Sequence, residues 1–173
     1  MHIVHRKWYS ALVLSLLLAL TACGSTAPPP VTLGTAAPPF TLPTLDDASV
    51  SLSQQQGKVV IVNFWATWCT PCVSETPRLV QWQAQHGAAG LQVLGVDTLF
   101  QDSRDAVAEF VKEYEVAYPI LLDDTGAVAK QWAARQLPRS FVLDRSGLVR
   151  FIKIGELTED DFQREVLPLL HTP

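Results

Sequence analysis

The sequence predicts an α/β domain built on a central mixed β-sheet flanked by helices, with a short hairpin in front of it. Three features carry that reading. The run VVIVNFW, Val59–Trp65, is apolar and β-branched at most positions, as in a strand buried on both faces. After it, strand-like and helix-like segments alternate, which is the pattern of sheet strands joined by crossover helices. The chain has 173 residues, 48% of them hydrophobic, enough for one real core with little left for a second domain.

The first 22 residues stand outside that domain. HRKWYSALVLSLLLALTA combines Arg6 and Lys7 with an apolar stretch too short to span a bilayer comfortably and with small residues at its end, as an export signal does. It closes on Leu20-Thr21-Ala22-Cys23, which resembles the bacterial lipobox. That resemblance implies cleavage before Cys23 and a diacylglyceryl thioether on its sulfur; the alternative is an ordinary cleaved signal with a stray cysteine. Residues 23–38, rich in Pro, Ala, Thr and Gly and without charge, read as a tether to a folded domain over 39–173. Removing the signal leaves 11 basic against 17 acidic residues, a formal net charge of −6. Nothing in that balance suggests a nucleic-acid binder.

From Phe40 onward the elements follow in order. FTLPTLDDASVSL reads as a hairpin, with short strands at 40–42 and 50–52 and a turn around Asp46-Asp47. Val59–Trp65 is the first buried strand. Residues 72–86 read as a helix with Leu79, Val80 and Trp82 on its apolar side, ending near Gly87. LQVLGVD is the next buried strand, and SRDAVAEFVKEYE is an amphipathic helix. YPILLDD is a short strand, TGAVAKQWAAR a short helix, and SFVLDRSGLVRFIKIG a hairpin turning at Arg145-Ser146-Gly147. LTEDDFQREVLPLL closes the chain as a helix, with Thr158 and Asp161 close to a capping box.

Cys69 and Cys72 carry the chemistry. A cysteine pair three positions apart, after a buried strand and opening a helix, reads as a thiol–disulfide site. The unpaired N–H groups and dipole of the helix N-terminus favour negative charge, so a thiolate at Cys69 is expected to be stabilised there. Pro71 suits a first helical turn, where its missing N–H is not needed. The three-residue offset lets the two sulfurs bond with little backbone movement. A structural zinc site would need a second ligand pair that the chain lacks. A purely structural disulfide over so small a loop would restrain the unfolded chain weakly. Pro138, directly before a strand, is a natural place for a cis X-Pro bond, and such a loop leaves the Leu137 backbone open to an extended partner.

FWATWCTPC resembles the active-site segment of the thioredoxin superfamily. The wider pattern, PPFTLPTLDD with SLSQQQGKVVIVNFWATWCTPC, GVD and LPRSFVLDRSG, resembles its membrane-tethered extracytoplasmic TlpA/ResA-like branch. The likeness runs from about Thr35 to Leu170 and implies a thioredoxin-like fold with a central helix–strand insertion. It further implies Cys69 as nucleophile, Cys72 as resolving thiol, a cis-Pro loop at Pro138 and substrate contacts at Trp68, Thr70, Pro71 and Leu137. Trp65 and Phe141 are candidates for the apolar surface around the sulfurs, or for the core. Cytoplasmic thioredoxins carry a buried aspartate where this chain has Asn63, and an amide cannot carry the proton. Glu75, one helical turn after Cys72, is the expected acid/base in its place; its alternative is a surface glutamate complementing the helix N-terminus.

The resemblance implies a reductase of disulfides in exported proteins, for example apocytochrome c. It would be recharged by a membrane thiol-electron donor and need no metal or other cofactor. A lipid-anchored monomer on the extracytoplasmic face of a bacterial membrane is the expected setting. A peroxiredoxin-like peroxidase, a disulfide-donating oxidant and a redox-silent peptide-binding lipoprotein remain as alternatives.

Overall fold

The computed structural model describes residues 30–98 and 102–171. The expected signal and Cys23 lie outside them. An antiparallel hairpin of β1 (Thr41–Pro43) and β2 (Ser49–Ser51) leads the domain. Five further strands, β3 (Val59–Trp65), β4 (Leu91–Asp97), β5 (Ile120–Leu122), β6 (Arg139–Leu143) and β7 (Val149–Ile154), form one sheet in the order β5-β4-β3-β6-β7. The sheet is mixed for a topological reason. Helices α1 (Thr70–His86) and α2 (Arg104–Glu113) return the chain for the parallel pairs β3–β4 and β4–β5, whereas β6 runs antiparallel to β3 and turns directly into β7. A short helix α3 (Ala127–Gln131) follows β5, and α4 (residues 159–170) ends the domain.

Every residue of β3 is buried, as its mostly apolar run predicts, Asn63 being the one polar side chain in it. Val59, Ile61 and Trp65 face a core layer with Leu79 and Trp82 of α1, Phe110 of α2 and Phe162 of α4. Val60, Val62 and Phe64 face the opposite layer, with Leu42 of the hairpin, Phe141 and Trp132. Trp132 is the hub of that second layer, with ring centroids 5.0–5.8 Å from Phe141, Phe64 and Phe40. Burying side chains of this size contributes roughly 1.5–3 kcal/mol each. The C-terminal end of β3, where the cysteine loop begins, is therefore held from both sides.

Four differences from the sequence expectations have local causes. The tether expected over 23–38 is already docked from Gly34. The Gly34 N–H donates to the Val149 carbonyl at 2.7 Å, Val149 N–H to Thr35 at 2.9 Å and Ala37 N–H to Gly147 at 3.0 Å. This segment covers the start of the edge strand β7. Helix α1 starts at Thr70, with Cys69 as N-cap, and contains Pro77, whose ring removes one ladder donor. The helix expected over 125–135 closes at Gln131, because Ala133 takes a left-handed φ of 53°. Helix α4 passes through a π turn at Phe162–Val166 just before Pro168, which cannot donate to the ladder. Its capping box is formed: the Asp161 N–H donates to Thr158 Oγ1, and Asp161 Oδ2 accepts the Thr158 N–H.

Candidate active site

Cys69 and Cys72 form a disulfide at the N-terminus of α1, with S–S 2.10 Å and Cα–Cα 5.2 Å. Cys69 is the more accessible of the two, 6% exposed against 1% for Cys72. Cys69 as N-cap and Pro71 in the first turn put the outer sulfur at the positive end of the helix. The preceding loop is clamped from another element. Asp102, just before the Ser103 N-cap of α2, accepts the Thr67 N–H on Oδ2 and the Thr67 hydroxyl on Oδ1, both at 2.8 Å. Trp68, between the clamped threonine and Cys69, is 51% exposed.

The Leu137–Pro138 peptide bond is cis. Leu137 lines the same open cleft as Cys69, a space of about 590 Å³ whose walls include Trp68, Pro71, Ala134 and Arg135. The Leu137 N–H and C=O enter no hydrogen bond among the described residues. The Pro138 carbonyl is held by the Gly155 N–H at 2.9 Å. The structure thus brings Cys69, Thr70, Pro71, Trp68 and Leu137 to one cleft. Trp65 and Phe141 are core residues instead. Trp65 shares the buried layer of the two cysteines, and Phe141 lies in the layer on the other side of the sheet.

Glu75 is no surface residue. It is 1% exposed on the inner side of α1, its Oε1 accepting from Asn63 Nδ2 at 2.6 Å and its Oε2 from the Leu157 N–H at 2.8 Å. Asn63 also donates to Ser140 Oγ at 3.0 Å, two residues beyond Pro138. Burial pushes the Glu75 carboxyl up from 4.5 to about 7, against the opposing pull of the Leu157 N–H, the Asn63 amide and Arg78. A carboxyl held there exchanges protons near neutral pH. Sequence reasoning found Asn63 and Glu75, but had no signal for Ser140, Leu157 or Asp102, because their contacts span 35 to 82 residues. No cluster of three or more His, Cys, Asp or Glu among the described residues could hold a metal ion.

A cysteine pair capping a helix, facing a cis-proline loop on a thioredoxin-like mixed sheet, defines the class: the protein is a thiol–disulfide oxidoreductase. Residues 33–152 match the AhpC/TSA family, and the chain belongs to it. It is 31% identical over 167 residues to the thioredoxin-like protein YneN of Bacillus subtilis (strain 168), covering 93% of this chain and 97% of that one. It is 33% identical over 133 residues to the thiol-disulfide oxidoreductase ResA of Bacillus thuringiensis subsp. konkukian, covering 76% and 75%. Among solved structures, a thioredoxin-family thiol:disulfide interchange protein from Chlorobium tepidum superposes with a TM-score of 0.71 at 32% identity, over 80% of this chain and 98% of that one.

Proposed function

We propose that the protein is a reductase of disulfides in exported proteins, held by a lipid on Cys23 at the extracytoplasmic face of a bacterial membrane. One observation carries the reading: an outer sulfur at a helix N-terminus stands above a buried resolving sulfur, with a carboxyl of near-neutral pKa one turn further on. In the cycle, the Cys69 thiolate attacks a partner disulfide, forming the Cys69–partner bond and releasing one partner thiolate. Glu75 takes the Cys72 proton, and the Cys72 thiolate attacks Cys69 Sγ, expelling the second partner thiolate. The partner gains two electrons and the enzyme ends as the Cys69–Cys72 disulfide, the form seen here. Pro138 presents Leu137 for backbone pairing with the partner, and Trp68, Thr70 and Pro71 form the contact surface around Cys69.

A membrane thiol-electron donor returns the two electrons, and the protein works as a monomer without a further cofactor. Apocytochrome c is one proposed substrate, as the resemblance to the TlpA/ResA-like branch implies. The test is the reduction potential of the pair, equilibrated in graded thiol–disulfide buffers and read by alkylation. A value near the thioredoxin figure of about −270 mV supports the reductase, whereas one near about −120 mV makes it an oxidant. No transition at all would refute the cycle.

A further inference from the structure

We propose that Arg135 gives this cleft a preference for partner segments bearing an acidic side chain close to the target cysteine. The proposal rests on the reductase reading and adds a specificity to it. Among the described residues lining the cleft, Arg135 is the sole ionisable side chain besides the cysteines. Every other described arginine is engaged within the protein. Arg78, Arg104, Arg150 and Arg164 pair with carboxylates, Arg139 donates to the Ala133 carbonyl and lies over the Phe141 ring, and Arg145 donates to backbone carbonyls. Arg135 is exposed and makes no ion pair or side-chain hydrogen bond with the described residues.

Its backbone is fixed, so the side chain leaves the cleft wall from a defined point. Ala133 sits at φ 53°, its carbonyl accepts both the Arg135 N–H at 2.9 Å and Arg139 Nη1 at 2.8 Å, and the cis bond follows at Leu137–Pro138. Asp123, three residues before Gly126 on the same wall, is buried and its carboxylate accepts the Ala129 N–H. An extended partner pairing with the Leu137 backbone, its cysteine over Cys69, presents every second side chain to the same face. A carboxylate two positions from that cysteine then comes within reach of Arg135. The chain as a whole is acidic, with a formal net charge of −4. At physiological salt that field is screened within about 8 Å, so the cleft's own charge decides the local preference.

The experiment uses the reduced full-length chain in detergent and three extended peptides, each with one cysteine in a mixed disulfide with 2-mercaptoethanol. They carry Glu, Gln or Lys two positions to either side of that cysteine. Wild type is expected to reduce the Glu peptide roughly two- to fivefold faster than the Gln peptide, as for an exposed ion pair. The Lys peptide should be slowest, and the spread should shrink as salt is raised to about 1 M, where the Debye length is about 3 Å. Arg135→Gln should level the three rates and Arg135→Glu invert their order. Each peptide rate is divided by the same protein's rate on bis(2-hydroxyethyl) disulfide, which removes any general effect of the substitution on Cys69, and far-UV circular dichroism checks that the variants are folded. Equal rates for the three peptides in wild type, or an unchanged order in Arg135→Glu, would overturn the Arg135 proposal alone. Reduction of the small disulfide but of no peptide would overturn the protein-reductase reading together with it.

Discussion

Replacing Glu75 by glutamine should remove a pH dependence of stability that the buried carboxyl creates. In the folded oxidised protein its pKa is about 7, against 4.5 for an ordinary glutamate, burial being the main cause. Between those values the folded state holds a proton that the unfolded state has released. Stability from this group is therefore full below about pH 4.5 and is lost as pH rises through 7. At about 1.4 kcal/mol per pH unit, the loss between pH 5 and pH 8 is about 2.5 kcal/mol. Glutamine never ionises, but its single oxygen can accept from Asn63 or from the Leu157 N–H and not from both. The donor left over costs about 1–3 kcal/mol. Glu75→Gln should thus be less stable than wild type at pH 5 and close to it, or more stable, at pH 8. Asp46, Asp144, Glu159 and Asp161 all have lowered pKa values, so their contributions change below this window. Urea unfolding of the oxidised proteins at intervals from pH 5 to pH 8 measures the difference. Stability curves that stay parallel across that range would refute a buried, neutral-range carboxyl at this position.

Cys72→Ser should leave Cys69 able to attack but the mixed disulfide unresolved, so a thiol-cleavable adduct with partner protein accumulates on a non-reducing gel; Cys69→Ser should give none. Asp102→Ala deletes both acceptors of Thr67 and should destabilise by about 1–3 kcal/mol, with faster amide exchange at Thr67, while Asp102→Asn keeps one acceptor and should lie between. Unchanged exchange at Thr67 would mean that the loop does not depend on the clamp. Gly95→Ala would place a methyl 2.7 Å from Ile120 Cδ1, 3.1 Å from Trp65 Nε1 and 3.2 Å from Tyr118 Cε2. Overpacking there should cost about 1–3 kcal/mol by chemical denaturation, and a neutral result would show that these side chains yield.

Strands β3 and β4 could be read to the residue, because a strand buried on both faces is apolar at most of its positions and Gly57 and Gly90 mark the turns before them. The β6–β7 turn was equally legible: Asp144 Oδ1 accepts from the Ser146 N–H and the Leu148 N–H, and Gly147 takes φ 81°. Helix ends were less so, since Cys69 lacks the oxygen side chain by which an N-cap is usually recognised. By itself the sequence determined the fold class and the cysteine pair at a helix start, because periodicity and spacing act between near neighbours; that Pro138 faces the pair was implied only by the family resemblance. Only the tertiary structure decided that Glu75 is buried rather than solvated, that Asn63 links it to Ser140, that Asp102 holds the loop before Cys69 and that Gly34 already lies on β7. Those outcomes join residues from 12 to more than 100 positions apart. A carboxyl's pKa and a loop's rigidity depend on which strands and helices are packed around them, and that surrounding exists only once the sheet has formed.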